Sequence, residues 1–243
     1  MPAPRSNAVI WLRPEHAAVG RPAERSRAEI TNAAVTIADA EGLDALSMRR
    51  VATELGTGVA SLYRYVESRD DLLDLMSDSV ASEYRIDATT GAWLPDLVDI
   101  GLQAREILRR HRWLVELVAT RPTIGPNGVR LIEHVLLILR DHPIDSETKL
   151  ELFAMLNGVA ALFVQYELAG EASSTQRQAE YLTHAAGTGD FPLLADVLTG
   201  QPAMASPRPV ADRFAELLEG VLVGVAGPTV RGSNQPTHRL ESS

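Results

Sequence analysis

The sequence predicts an all-α protein with two parts, an N-terminal three-helix head that contains a helix-turn-helix and a larger C-terminal helical domain. Three observations support this fold class. Apolar residues recur at helical spacing along most of the chain, the periodic stretches are bounded by glycine, proline or a capping serine, and nothing in residues 1–86 indicates a strand. With 243 residues, 45% of them hydrophobic, the chain can bury one good core or two small ones.

The composition argues against several classes of protein. Cysteine is absent, which excludes disulfides and thiolate metal sites. The six histidines are scattered, and the sequence has no Gly-x-Ser-x-Gly elbow, phosphate-binding glycine loop or His-Glu-x-x-His helix. We therefore expect no enzyme activity, no metal and no cofactor, with an active site assembled from distant segments as the alternative.

Hydropathy gives an expectation about compartment. No apolar run approaches the ~18–20 residues that a membrane helix requires. The apolar run at residues 9–12 is too short for a signal peptide. We expect a cytoplasmic protein that makes no membrane contact.

The net charge of −9 argues against indiscriminate binding to nucleic acid, because a duplex repels an acidic body. The distribution of charge is uneven, however. Residues 1–27 hold five Arg against two Glu, and residues 47–69 hold four Arg against two Glu. The pattern is compatible with a small basic tip that contacts DNA, or with an ordinary solvated surface.

Residues 1–22 are rich in proline, alanine and arginine without periodicity, which predicts a flexible basic arm. Its arginines could enter the minor groove of DNA, as basic arms do, and a simply disordered tail is the alternative. These arginines are Arg5, Arg13 and Arg21.

The predicted head spans residues 23–70 and begins with a helix at about 24–40. The buried face of this helix is Ile30, Ala34, Ile37 and Ala38. Two shorter helices follow within residues 47–66. Ser47 can cap the first of them, and Gly56 permits the positive φ that a sharp turn between helices needs. Apolar residues at i, i+3 and i+7 then hold the second against the first: Val59, Leu62 and Val66.

This pair of short helices predicts a helix-turn-helix, whose second helix would lie in the major groove of DNA. Base pairs present distinct donor and acceptor patterns there. An ordinary helical hairpin is the alternative interpretation.

The remaining helices are predicted from periodicity and from their stop signals. A fourth helix begins after Ser68 and runs to about residue 85, with Asp70 and Asp71 in its first turn, where the helix dipole favours anions. Further helices are predicted at about 92–110, 112–120, 127–141, 146–170, 173–186, 192–198 and 210–225.

We assign residues 71–225 to the C-terminal domain and residues 226–243 to a disordered tail. The helices at 146–170 and 210–225 are more apolar than one small domain needs. A four-helix interface between two copies would cover them, which predicts a homodimer.

The chain resembles the tetracycline-repressor family of bacterial transcription regulators over about residues 8–225. In the head the resemblance rests on residues 38–43 (ADAEGL), 47–52 (SMRRVA), 55–56 (LG), 61–66 (SLYRYV) and 69–73 (RDDLL). The C-terminal domain is similar to the branch that contains the tetracycline repressor itself. That similarity rests on Trp93, residues 111–113 (HRW) and residues 120–123 (TRPT).

The resemblance implies a homodimer whose two heads bind double-stranded DNA at a palindromic operator. Its C-terminal helical ligand-binding and dimerisation domain would bind a small-molecule effector that changes the spacing of the heads. The two recognition helices must lie about 34–36 Å apart to enter successive major grooves. Members of the family usually repress transcription. Whether this chain represses or activates depends on where its operator lies relative to a promoter.

Family positions place the DNA-binding surface on one set of residues. Arg49 is suited to a bidentate contact with guanine, and Val59 and Ala60 could touch thymine methyl groups. Tyr63 could instead seal the core of the head. A helical interaction module that has lost DNA binding is an alternative function. The presence of Arg49 and of residues 61–65 argues against it. The set is Ser47, Arg49, Gly58, Val59, Ala60, Ser61, Tyr63, Arg64, Tyr65 and Arg69.

The effector site is predicted from polar residues on apolar helices and from neighbouring aromatic or basic side chains. Each could equally be a satisfied polar group or a packing aromatic of the core. Positions equivalent to the family's drug and metal ligands lie near Arg85, Ile100 and Leu117, so we do not expect tetracycline as the effector. The candidates are Arg85, Trp93, Gln103, Trp113, Arg121, His134, Phe153, Asn157 and Gln165.

Overall fold

The structure is a computed structural model, which describes residues 9–14, 25–86, 88–121, 123–169, 173–199 and 209–227. Every regular element within these ranges is helical, so the predicted all-α class is confirmed. The helices are α1 (Arg27–Glu41), α2 (Met48–Glu54), α3 (Val59–Leu62), α4 (Arg69–Ala81), α5 (Trp93–Arg110), α6 (Leu114–Thr120), α7 (Pro126–Ile138), α8 (Ser146–Ala169), α9 (Ser173–Gly187), α10 (Pro192–Thr199) and α11 (Val210–Ala226).

Each predicted helix is present, and the largest difference in length is at α4, which ends at Ala81 rather than near residue 85. Short 3₁₀ helices lie at Ile10–Leu12 and Leu43–Ala45. The predicted tail beyond residue 227 lies outside the described residues.

Serine side chains cap the N-termini of α1, α2 and α4. The Ser26 hydroxyl accepts a hydrogen bond from the backbone N–H of Glu29, whose carboxylate accepts one from the Ser26 N–H. The Ser47 and Ser68 hydroxyls cap α2 and α4 by accepting hydrogen bonds from the backbone N–H groups of Arg50 and Asp71. Gly56 has a φ of 62°, which confirms the predicted turn between α2 and α3.

The prediction of a flexible arm is wrong for residues 9–14. The Ile10 side chain is fully buried in the core of the head. Arg13 forms ion pairs with Glu67 and Asp71, so it is not available to a minor groove. The Arg27 guanidinium donates to the carbonyl oxygens of three arm residues and so fixes the arm to α1; these are Ile10, Arg13 and Pro14. The arginines at positions 5 and 21 lie outside the described residues.

The C-terminal domain is built on α8, which packs against α5, α6, α7 and α11. By length and composition alone, α8 is long and apolar enough to cross a membrane, contrary to the expectation from hydropathy. One side of α8 is buried in the domain through Leu152, Leu156, Ala160 and Val164. Leu162 and Tyr166 on its other side are exposed.

The head and the C-terminal domain share buried surface. The cluster that contains the head's core also contains Ile107 of α5 and Trp113 and Leu117 near α6. Helix α4 lies between the two parts, because it packs on α1 as well as on α7. The predicted boundary at residue 70 therefore falls within one continuous region of packing.

Candidate DNA-binding surface and effector cavity

The second helix of the helix-turn-helix is short. Its regular part, Val59–Leu62, is followed by turns up to Tyr65. Leu62 and Val66 are fully buried and Val59 is half-buried against the head's core, so this face holds the helix in place. Between them, Ala60, Tyr63 and Arg64 face outward, as the helical spacing predicts.

The outward surface contains Arg49, Ala60, Tyr63 and Arg64. The Tyr63 side chain is 48% exposed, and Arg64 donates a hydrogen bond to the Ser61 hydroxyl over 3.0 Å. Arg49 is exposed and makes no ion pair with a described residue. Such a side chain can contact a base edge without first breaking an existing ion pair.

Arg50, next to Arg49, forms ion pairs with two carboxylates of the head. Its guanidinium contacts the carboxylates of Glu41 and Glu54, each at 2.8 Å. Hydrogen bonds to these two carboxylates raise the pKa of Arg50 above its ordinary value. Arg50 therefore links α2 to the end of α1, and Arg49 is the better candidate for DNA.

The structure contradicts the placement of Tyr65 on the DNA-binding surface. Tyr65 is only 7% exposed and belongs to the head's core, because it lies three residues after the buried Leu62. Tyr65, and not Tyr63, is therefore the aromatic residue that seals the core of the head. Arg69 is exposed, but its guanidinium donates to the carbonyl oxygen of Leu43 over 3.1 Å.

A cavity of about 420 Å³ lies between α4, α5, α6, α7 and α8. Its walls are mostly aliphatic and aromatic carbon. The lining residues are Ser77, Val80, Ala81, Tyr84, Ile107, Leu108, Leu114, Leu117, Val118, Arg121, Thr123, Ile124, Gly128, Leu131, Ile132, Leu150, Phe153, Ala154, Asn157 and Gly158. A pocket of this size and composition suits a small organic molecule.

Few polar groups line the cavity. Burial raises the pKa of Tyr84, so its hydroxyl stays protonated and can donate a hydrogen bond. The Asn157 side chain donates its N–H to the Phe153 carbonyl oxygen over 2.8 Å, and its own carbonyl oxygen receives no hydrogen bond from a described residue. Tyr84 and Asn157 both line the cavity, so a hydroxyl and a side-chain amide belong to its walls.

Arg121 also lines the cavity, but its charge is balanced by α4. Its guanidinium lies 2.7 Å from an Asp70 carboxylate oxygen and 3.0 Å from one of Asp74, which also accepts a hydrogen bond from Thr123. Burial alone would lower the pKa of Arg121, but the hydrogen bonds and charges of Asp74 and Asp70 outweigh it and raise the pKa. The cavity therefore presents no unbalanced positive charge among its described residues.

Three of the nine predicted effector-site residues line this cavity: Arg121, Phe153 and Asn157. Two others contact each other, since the amide oxygen of Gln103 on α5 accepts from the backbone N–H of Arg85, which follows α4, over 2.8 Å. The Gln103 amide also donates to Asp99. Gln103 is thus a satisfied buried polar group, the alternative that the sequence left open.

The other four predicted residues also lie elsewhere. Trp113 donates its indole N–H to Asp39 of α1 over 2.7 Å, between the head and the C-terminal domain. Trp93 packs on His142 with ring centroids 4.5 Å apart. His134 is buried on α7 and Gln165 is exposed on α8, and neither is among the cavity's lining residues.

Sequence reasoning missed most of the cavity's walls. Leu114, Leu117 and Val118 follow helical spacing, which is equally typical of residues in a packed core. Tyr84 carried the clearest signal, because an aromatic residue with a hydroxyl follows an apolar helix there.

The helix-turn-helix head joined to a helical domain with an apolar cavity defines a class of DNA-binding regulatory protein. Comparison with known sequences agrees. Residues 30–76 match the family described as bacterial regulatory proteins, tetR family, and residues 87–227 match the tetracyclin repressor-like C-terminal domain. The chain belongs to the TetR family of transcriptional regulators, which confirms the resemblance noted in the sequence and indicates a regulator rather than an enzyme.

Individual relatives extend this result. The chain is 36% identical over 208 residues to the HTH-type transcriptional repressor DrrR1 of Streptomyces coeruleorubidus, which covers 81% of this chain and 75% of that protein. It is similar to the crystal structure of apo ActR from Streptomyces coelicolor, with a TM-score of 0.70, 30% identity and coverage of 84% and 99%. ActR in complex with actinorhodin gives a TM-score of 0.68, 29% identity and coverage of 84% and 96%.

Proposed function

We propose that the protein is a ligand-responsive repressor that binds a palindromic operator as a homodimer and is released by a small-molecule effector. The observation that carries this proposal is the position of α4. Leu72, Leu73 and Met76 of this helix pack in the head's core, Ser77 and Ala81 line the cavity, and Val80 does both. A ligand that displaces the cavity-lining half must move the half that supports the head.

The DNA-binding surface that we propose is the exposed edge of the head. Arg49 would contact base edges in the major groove, where a bidentate contact specifies guanine. Contacts to phosphate would position the head without specifying sequence. The surface comprises Ser47, Arg49, Gly58, Val59, Ala60, Ser61, Tyr63, Arg64 and Arg69, and it omits the buried Tyr65.

The cavity favours an uncharged and largely apolar effector with a few hydroxyl or carbonyl groups. Tyr84 would donate to such a group and the Asn157 carbonyl oxygen would accept from one. A carboxylate would have to compete with Asp70 and Asp74 for Arg121. The ActR structures support a small-molecule effector, because ActR is a relative with solved complexes of actinorhodin and (S)-DNPA.

The homodimer that we propose is formed by α8 and α11. Leu162 and Tyr166 of α8 are 68% and 75% exposed, and Leu217 of α11 is 48% exposed. Gly220 and Gly224 lie on the same face of α11 as Leu217, with no atom close to the position of an added Cβ. Pairing these faces in a four-helix interface would cover the apolar surface of α8 in a cytoplasmic protein.

Genomic DNA fragments bound by the purified protein would test the proposal directly. We expect the recovered fragments to share a sequence with two-fold symmetry, bound by two copies of the chain. A panel of uncharged polycyclic aromatic compounds, screened by fluorescence anisotropy of the labelled duplex, should contain compounds that release it. An Asn157→Leu variant should bind the same duplex and respond less. Recovery of no common sequence, or of a sequence bound by one copy, would contradict the proposal.

A further inference from the structure

A cluster of polar side chains lies between the cavity and the DNA-binding head, and we call it the joint. It consists of Asp39, Glu83, His111 and Trp113. His111 follows the last residue of α5 and is 4% exposed. Its Nδ1 lies 2.7 Å from a carboxylate oxygen of Asp39 on α1, and its Nε2 lies 2.9 Å from one of Glu83 after α4. The Trp113 indole N–H donates to the same Asp39 oxygen. Three segments that are distant in the sequence therefore meet at one imidazole ring.

The chemistry of this contact makes it rigid. Both ring nitrogens lie within hydrogen-bond distance of a carboxylate oxygen. Hydrogen bonds that involve an ionised acceptor such as a carboxylate are shorter and stronger than those between neutral groups. Arg110 pairs with Glu83 on the side away from the ring, so both carboxylates keep a cationic or N–H partner. Asp39 and Glu83 are thus held at a fixed separation by His111.

On the cavity side, the joint is bonded to two wall residues through the backbone. The His111 N–H donates to the carbonyl oxygen of Ile107 over 2.8 Å, and the Leu114 N–H donates to the carbonyl oxygen of His111 over 2.9 Å. Ile107 and Leu114 both line the cavity. A ligand that moves either wall residue must move the backbone that carries the imidazole.

On the head side, the joint includes Asp39 of α1, and α1 in turn contacts α2 of the helix-turn-helix. Asp39 lies two residues before Glu41, which pairs with Arg50 of α2. Arg50 is the neighbour of Arg49, the proposed base contact. A displacement of the imidazole would therefore tilt α1 and, through Glu41 and Arg50, the helix that carries Arg49.

We propose that Asp39, His111 and Trp113 are positioning residues that transmit occupancy of the cavity to the DNA-binding head. This inference rests on the proposed function. It assigns the coupling to a second route besides the displacement of α4. Loss of the joint should leave each binding site intact and should abolish the coupling between them.

The test measures coupling in the intact dimer, with the operator duplex recovered from genomic DNA and the uncharged dye Nile red as the probe of the cavity. Because coupling is reciprocal, the duplex should lower the affinity of the wild-type protein for the dye about ten-fold. In His111→Gln and Asp39→Asn, we expect the affinities for dye alone and duplex alone to stay within about two-fold of wild type, while the coupling falls below about two-fold.

Trp93→Phe is the matched control for Trp113→Phe. The Trp93 indole N–H is buried without a hydrogen-bond partner among the described residues, so its removal costs no such bond. We expect Trp93→Phe to keep the ten-fold coupling and Trp113→Phe to lose it. Thermal unfolding would show whether Trp113→Phe and Asp39→Asn are folded. If both are folded and keep full coupling, the proposed role of the joint is wrong and the proposed function still stands. Absence of coupling in the wild-type protein would overturn the proposed function together with the joint.

Discussion

The arginines of this chain differ in what their environment leaves them able to do. Arg105 is buried on α5, bound by both carboxylate oxygens of Glu167 at 2.7 and 3.1 Å and by Glu106 at 2.8 Å. Arg50 is held by two carboxylates at the surface, whereas Arg49 is exposed without an ion pair among the described residues. The same residue type thus serves core stability at Arg105, contact between helices at Arg50 and, as we propose, DNA recognition at Arg49.

We expect Arg49→Ala to weaken binding to the operator by about 1–3 kcal/mol and to relax specificity at one base position, because a bidentate base contact is lost. Fluorescence anisotropy with operator variants measures both effects. Arg130→Ala is the matched control, since Arg130 is exposed on α7 in the C-terminal domain. Equal affinities of wild type and Arg49→Ala for every operator variant would remove Arg49 from the DNA-binding surface.

We expect Glu167→Ala to lower the free energy of unfolding by about 3 kcal/mol, because among the described residues it leaves the buried Arg105 charge with Glu106 as its one carboxylate partner. Arg109→Ala breaks the exposed contact of Arg109 with Glu106, which spans 3.6 Å, and should cost under about 1 kcal/mol. Urea unfolding at one fixed protein concentration compares the two variants. Similar losses in both would show that burial does not strengthen the Glu167 contact.

At the level of the element, the start of α7 shows how one helix is fixed to another. The Asp78 carboxylate of α4 accepts hydrogen bonds from the backbone N–H groups of Asn127 and Gly128 at 2.9 and 3.0 Å. These N–H groups have no partner within α7, and an anion there is favoured by the helix dipole. Asp78 on α4 therefore takes the part of a capping residue for α7.

We expect Gly125→Ala to destabilise the protein by about 1–3 kcal/mol, because the approach of α4 and the arm leaves no space. An added Cβ would lie 2.5 Å from the Asp78 carboxyl group and 2.6 Å from the Trp11 ring. Gly187→Ala on α9 is the control, since a Cβ there meets no atom within 4 Å. Thermal unfolding distinguishes the two, and an unchanged midpoint for Gly125→Ala would mean that the arm and α4 can move apart.

For the molecule as a whole, the sequence predicted the helices well because their signals are local. Ser47, Gly56 and Ser68 act within a few residues of their own position, and each cap or turn formed as expected. The cavity was predicted poorly, because whether an apolar residue faces a void or a neighbour depends on how distant helices cross. Leu117 and Leu97 have the same local pattern, yet Leu117 lines the cavity and Leu97 does not.

The arm and the joint at His111 were missed for a related reason. Nothing near Ile10 in the sequence shows that a buried site in the head will receive it. Asp39 and Glu83 are 72 and 28 residues away from His111 in the chain, so no sequence spacing could have paired them. Interactions between elements are fixed by the fold, and a single sequence records them only through each residue's chemistry.

In the proposed dimer, replacing a glycine of α11 by alanine should have opposite effects on the isolated subunit and on the dimer. Alanine is a better helix former than glycine by about 1 kcal/mol. An added Cβ at Gly220 or Gly224 meets no atom of the described residues within 4 Å, so each substitution should stabilise an isolated subunit. Against a closely packed partner helix the same methyl group would clash, so we expect weaker dimers. Leu217→Glu should dissociate the dimer, while Val129→Glu on exposed α7 surface should not. Sedimentation across a concentration series measures the assembly, and tighter dimers in Gly220→Ala and Gly224→Ala would place the interface elsewhere.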